Sequence, residues 1–291
     1  AWILGVEHML KNRYEKVTYI NEAGESISLA YSFPYFFQQI SGTDGPTAEV
    51  IRVQTIGQDG STITNVRLMN REITLRGTIR GRTKDEIAIY RSRLLRVFSP
   101  KSKGRIIYEY GNVKRQIECQ VETGPRFSKL QTFKYQDFLI DILCPNPFWT
   151  TIEPATTVMK SFDGGFVFPM SFYIEFGTVG THIILDNDGD VETPVFLELT
   201  GKLVTPVIKN LTTGEEIKIN RTIETGDILE IGTEFGNKYV RINGENAFHY
   251  VDEDSDFFNL VVGENQLEYT AAESDENSNC IISFYPRYLG V

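Results

Sequence analysis

Three histidines, His8, His182 and His249, are the only imidazoles in the 291-residue chain, and none has a nucleophile or a carboxylate pair beside it in sequence. Acid–base or nucleophilic catalysis needs such partners within hydrogen-bond reach. No Gly-x-Ser-x-Gly elbow, phosphate loop or His-Glu-x-x-His pattern supplies them. Asp186, Asp188 and Asp190 alternate around Gly189 and carry the hard oxygens that calcium takes. A calcium loop also requires a bidentate acid at a fixed position downstream, which this spacing lacks. Asn187-Asp188-Gly189-Asp190 is therefore read as a turn. Cys119, Cys144 and Cys280 are odd in number and far apart. They build neither a disulfide framework nor a zinc site and are read as small buried hydrophobes of a chain folded in a reducing cytoplasm. No enzymatic activity, metal or cofactor is expected.

Binding chemistry offers more candidates. Arg80, Arg82, Lys84, Arg91, Arg93, Arg96, Lys101, Lys103 and Arg105 form a basic stretch that could neutralise phosphates. It has neither a recognised reading helix nor interleaved aromatics, so the solvated face of an amphipathic helix is preferred. The aromatic run Tyr31 to Phe37 is read as filling a core or a domain interface. Phe235, Tyr239, His249, Tyr250, Phe257 and Phe258 could stack on sugars, which makes a carbohydrate-binding module the alternative function. The acidic runs at 252–254 and 275–276 read as solvated loops.

The length suits about two domains. A hydrophobic fraction of 41% and a charged fraction of 23% are ordinary for a soluble globular chain. No apolar run approaches the ~18 residues of a membrane span, and Trp2 to Val6 is too short for a signal core. The net charge of -10 hides an asymmetry: residues 1–150 hold 21 Lys+Arg against 15 Asp+Glu, and residues 151–291 hold 8 against 24. Such fields aid solubility and would attract each other's domain between subunits.

The elements that must carry these residues are mostly strands. Residues 17–20 and 26–29 alternate around a turn as a hairpin, and residues 73–80 alternate as a strand with one buried face. Thr83 and Glu86 are placed as a capping box for a helix with Ile87, Tyr90, Leu94 and Val97 or Phe98 at helical spacing, stopped by Ser99-Pro100. Residues 106–110 and 113–121 form a hairpin on Gly111-Asn112. Residues 133–143 form a strand apolar on both faces, hence central. After Thr150 only strands follow, at 195–199, 206–208, 216–219, 228–231, 239–242, 259–262, 266–270 and 281–285, the pattern of an antiparallel sandwich.

One hairpin stands apart. Residues 50–56 and 61–68 flank Gly57-Gln58-Asp59-Gly60, a turn rich in residues that tolerate positive φ. Its apolar positions Val50, Ile51, Val53, Ile56, Ile63, Val66 and Leu68 belong to arms too long to stand alone in water. They are a candidate interface arm, which would lie on its own domain or on a neighbouring copy.

The break between the two β patterns is marked by Cys144-Pro145-Asn146-Pro147-Phe148-Trp149, whose prolines end the preceding strand. An apolar run with Pro169, Phe166-Val167-Phe168-Pro169-Met170, follows, then Asn187-Asp188-Gly189-Asp190 with Pro194, and the chain closes on Tyr285-Pro286-Arg287-Tyr288-Leu289-Gly290-Val291. In this order and spacing the chain resembles the distal tail protein family, often called Dit, of long-tailed bacteriophages and phage-tail-like particles. The reading is mainly β with three segments: an N-terminal domain at 1–149 with one packed helix and a hairpin arm, a linker and docking segment at 150–194, protease-sensitive over 150–166, and a C-terminal sandwich at 195–291. The resemblance implies a galectin-like second domain. It also implies a structural hub at the distal end of the virion tail, assembled in the bacterial cytoplasm as a hexameric ring around a channel that passes DNA without binding it specifically. Its partners would be further copies, the tail tube protein and the tail tip or receptor-binding proteins, with no membrane and no small-molecule substrate.

Overall fold

The computed structural model describes residues 15–57, 59–128, 134–160, 181–275 and 278–291. The chain divides into two compact units, residues 1–152 with 288–291, and residues 153–287. Each has its own buried core.

The first unit contains β1 (Glu15–Asn21), β2 (Ser26–Leu29), β3 (Tyr35–Ser41), β4 (Ala48–Val53), β5 (Thr62–Leu68), β6 (Arg71–Arg80), α1 (Lys84–Val97), β7 (Lys103–Tyr110), β8 (Val113–Phe127), β9 (Tyr135–Cys144) and β10 (Trp149–Thr150). Seven strands join antiparallel in the order β2-β1-β7-β8-β9-β6-β3. The two ends of that sheet meet where Ala30 accepts from the Phe37 amide at 2.9 Å and donates to the Tyr35 carbonyl at 3.4 Å. Curling the sheet toward a barrel in this way covers part of the two edge strands, whose open groups would otherwise pair with other chains. Alternation decides what lies inside: along β6, Arg71, Ile73, Leu75, Gly77 and Ile79 point inward. Gly77 is required there, because a Cβ would stand 2.6 Å from the Phe138 ring and 2.8 Å from the Phe36 carbonyl.

Helix α1 begins at Thr83, whose hydroxyl accepts from the Glu86 amide at 3.2 Å, while Glu86 accepts from the Arg82 amide at 2.8 Å. Ile87, Leu94 and Val97 are its buried side chains, and the Phe98 ring at its end stacks on Tyr19 at 4.3 Å. Fully burying such side chains is worth about 1.5–3 kcal/mol each, which fixes the helix to the barrel. β9 lies between β8 and β6, the central position expected of a strand apolar on both faces. The β7–β8 hairpin turns on Gly111 at φ 60°, as a two-residue loop with glycine first requires.

The second unit consists of β11 (Ala155–Lys160), β12 (Thr181–Asn187), β13 (Thr193–Thr200), β14 (Leu203–Val204), β15 (Val207–Asn210), β16 (Glu216–Lys218), β17 (Thr222–Ile223), β18 (Ile228–Gly232), β19 (Tyr239–Ile242), β20 (Glu245–Asn246), β21 (Asn259–Leu260), β22 (Gly263–Thr270), β23 (Glu273–Ser274) and β24 (Asn279–Phe284). One sheet runs β11-β24-β13-β18-β19-β20 and the other β12-β22-β15-β16, all antiparallel. Val195, Leu197, Ile231 and Ile282 of the first share a core with Ile208, Ile217, Leu267 and Tyr269 of the second. Two antiparallel sheets enclosing one apolar layer make a sandwich.

The segment boundaries differ from the sequence reading. Of the expected linker at 150–194, Thr150 sits in β10 opposite Gln116, and β11 pairs with β24 along its whole length. β12 pairs with β22, so strand ladders occupy both ends of that linker. The physical reason is that Thr156, Thr157 and Val158 are strand formers whose partner lies more than a hundred residues away, invisible to local pattern. Residues 288–291, expected in the second domain, belong to the first unit. Phe166 to Met170, the stretch 161–166 of the expected cleavage site, and His8 lie outside the described residues.

Candidate assembly interface

The β4–β5 hairpin forms a two-stranded sheet by itself. Every residue of both strands is exposed, including Val50, Ile51, Val53, Ile63, Val66 and Leu68, and Ile56 in the connection is fully exposed. Val50 faces Val66 and Ala48 faces Leu68, with a register shift after Ile51 that sets Ile63 opposite Arg52. Because Arg52 is two residues from Val50, the shift brings Ile63 onto the face of Val66 and Leu68, which strict alternation from Val66 would deny it. The opposite face carries Glu49 and Arg67, joined at 2.5 Å. Gly57 and Gly60 take φ of 82° and 85°, the left-handed geometry that lets the chain reverse. A lone hairpin with an apolar face in water is marginal and wants a cover.

Other sequence candidates do not converge. Asp186, Asp188 and Asp190 are exposed, and the centre of their turn is Asn187 instead. The buried Asn187 amide donates to the carbonyls of Val191 at 3.0 Å and Leu260 at 3.2 Å, and its oxygen accepts from Gly189 at 3.1 Å. Among the described residues no group of three or more histidines, cysteines, aspartates or glutamates is placed to hold a metal ion. All three cysteines are buried and unbridged. The Cys119 thiol is pushed far above its ordinary range by its hydrogen bond with Cys144 and by burial, and Cys280 is raised to about 12 by burial. An open cavity of about 520 Å³ reaches Cys119 among Glu22, Lys103, Arg105 and Glu118, and no histidine lines it. His182 faces Glu268 at 3.4 Å on the sandwich surface.

The six candidate sugar-stacking rings differ in their surroundings. Phe258 is buried, Phe257 stacks on Phe248 at 5.4 Å, His249 lies on Tyr250 at 3.9 Å, and Phe235 stands exposed at another turn. Three members of the basic stretch are engaged within their own unit: Arg91 lies over the Phe127 ring at 4.1 Å, Arg96 pairs with Glu25 at 3.1 Å and Arg93 donates to the Ser26 carbonyl at 3.4 Å. Of the aromatic run, Tyr35 and Phe37 of β3 are core, whereas Tyr31 and Phe33, which lie in the connection between β2 and β3, are exposed. Sequence reasoning missed Arg71, although extending the period-2 pattern back from Ile73 places that arginine inside. No described helix is long and apolar enough to cross a membrane.

Residues 188–288 match the family model described as the siphovirus-type tail component, C-terminal domain, and residues 22–144 match that of the phage tail protein RIFT-related domain. Among solved structures, the SPP1 Dit protein, described as a paradigm of the hub adsorption apparatus in Gram-positive infecting phages, aligns with a TM-score of 0.70 at 14% identity, over 94% of this chain and 99% of that one. A chain of the phage P2 baseplate in its activated conformation with calcium aligns with a TM-score of 0.54 at 14% identity, over 93% of this chain and 97% of that one. The strontium form of that baseplate gives the same TM-score at 13% identity over the same shares. Comparison with curated proteins finds no match.

Proposed function

This chain belongs to the distal tail protein family of siphovirus-type tail components and is a structural hub protein of the virion tail; from that premise we propose that copies of it close into a hexameric ring in which each β4–β5 hairpin lies on the adjacent copy. The first unit surrounds a channel through which DNA passes without specific binding. The second unit offers its surface to tail tip or receptor-binding proteins, and the ring's other side meets the tail tube protein. No catalytic step belongs to this role.

The observation that carries the reading is the hairpin's exposure on both faces together with its standing, among the described residues, as a two-stranded sheet of its own. Identical copies joined head to tail through two different surfaces close into a ring when the rotation permits. An extended arm with open edges and an apolar face suits such a joint. Replacing residues 55–63 by a short Gly-Ser turn tests it. A protein with native circular dichroism that light scattering finds monomeric supports the arm; one that remains a ring removes it.

A further inference from the structure

We propose that the surface receiving the hairpin is an aromatic patch built from Tyr31, Phe33, Phe36, Tyr90, Arg80 and Tyr135 on a second copy of this chain. The proposal rests on the arm reading and names the partner surface that reading leaves open.

Tyr31 is 50% exposed and Phe33 51%, yet both are held by neighbours. Tyr31 meets Phe36 edge-on at 6.2 Å, and Phe33 meets Tyr90 of α1 at 5.7 Å. Tyr90 is in turn fixed by the Tyr35 hydroxyl, which donates to its carbonyl at 3.0 Å. The Arg80 guanidinium lies 6.0 Å from the Phe36 ring centre and 5.7 Å from that of Tyr135, which is itself exposed. Pre-ordered tyrosine, phenylalanine and arginine side chains at a surface are the composition of interface hot spots, because they bury large areas at small entropic cost.

Position on the fold selects the occupant. Tyr35 pairs with Ile79, Ser41 with Thr74, and Arg80 with Tyr135, so the patch stands at one end of the β3–β6 pair. The hairpin leaves the chain between Ser41 and Arg71, at the opposite end of that same pair. Ten residues of β6 separate the two by roughly 33 Å at strand rise. A heterologous ring needs two unlike surfaces on opposite sides of each subunit, and these are two such surfaces. Their chemistry also matches. The exposed Ile56 stands in the hairpin connection that also carries Asp59, while the patch contains Arg80, followed in sequence by the exposed Arg82 and Lys84. Glu49 is already paired with Arg67, so Asp59 is the carboxylate that the tip presents.

Two differently tagged full-length chains, one carrying Ile56→Cys and the other Phe33→Cys, are co-expressed and oxidised with a copper–phenanthroline catalyst. The three native cysteines are buried and do not compete. A reducible dimer holding both tags, absent when either variant is expressed alone, is the expected result. Light scattering of Tyr31→Asp/Phe33→Asp, which sets carboxylates against Asp59, is expected to give folded monomers. If the hairpin replacement breaks the ring but the mixed pair yields no covalent dimer, the arm docks elsewhere and this proposal is overturned while the arm reading stands. If the hairpin replacement leaves the ring intact, both fall. Should the double aspartate variant fail to fold, the mixed cross-link alone decides.

Discussion

Arg71 donates from Nη2 to the carbonyl of Leu289 at 2.7 Å across 218 positions of sequence, and both residues lie within the first unit. The same guanidinium donates from Nη1 to Gly42 at 2.7 Å and Asp44 at 2.5 Å, and from Nε to Pro147 at 2.7 Å. One buried cation thus ties the approach to the hairpin, the Pro-Asn-Pro-Phe-Trp element and residues 288–291 together. Burial lowers its pKa, but an arginine has a wide margin before losing its proton. The tail segment has further ties: Arg115 lies over the Tyr288 ring at 3.5 Å and donates to the Gly290 carbonyl, and the Val291 amide donates to Thr43 at 3.0 Å.

Arg71→Met is expected to lower stability by about 3 kcal/mol, since it strips charge-assisted donors from four carbonyls in a dry site. Arg71→Lys should recover less than half of that, because a point ammonium cannot span a planar fork of acceptors. Urea unfolding measures both. A loss below about 0.5 kcal/mol for Arg71→Met would show that the clamp holds nothing.

Thr83→Ala should cost about 1 kcal/mol through the lost cap at the start of α1, with Thr83→Ser close to the parent. The pair of variants separates the hydroxyl from the methyl. Equal destabilisation by both, in thermal melts, would assign the effect to packing instead.

Asn187→Asp is expected to destabilise the second unit by about 2–3 kcal/mol, because a carboxylate cannot donate to the Val191 and Leu260 carbonyls and would be buried beside them. Gly189→Ala should be comparable: its Cβ would stand 2.6 Å from the Arg287 carbonyl and 2.8 Å from the Arg287 amide nitrogen. Neither variant should make the melting temperature respond to calcium. A calcium-dependent rise in the parent chain would overturn the turn reading.

Native Cys119, Cys144 and Cys280 are expected to resist a thiol reagent at pH 8, since all three are buried, the hydrogen bond with Cys144 and then burial raise Cys119, burial raises Cys280, and the thiolate is the reactive form. All three should react together once the chain is unfolded. A fast-reacting thiol in the folded protein would place one of them at the surface.

Many of the described strands, the capped helix α1 and the run of strands after Thr150 were legible in sequence because alternation, caps and turn residues act over a few positions. Thr83 with Glu86, Gly111 with Asn112 and the central strand through Phe138 are all local signals. The hairpin was visible too, as arms with alternation but too little apolar content for a core. What local pattern could not supply is which distant strand completes a ladder. β11 becomes a strand because β24 lies beside it, and Arg71 can be buried because the carbonyls of Gly42, Asp44, Pro147 and Leu289 converge from three parts of the chain. The sequence by itself determined which segments are extended, where they turn and which faces are apolar, for those follow from backbone sterics and period. Only the tertiary structure decided that Tyr35 and Phe37 fill the barrel while Tyr31 and Phe33 face water, and that the hairpin's apolar face stays uncovered, because solvent exposure depends on the neighbours that three dimensions bring together.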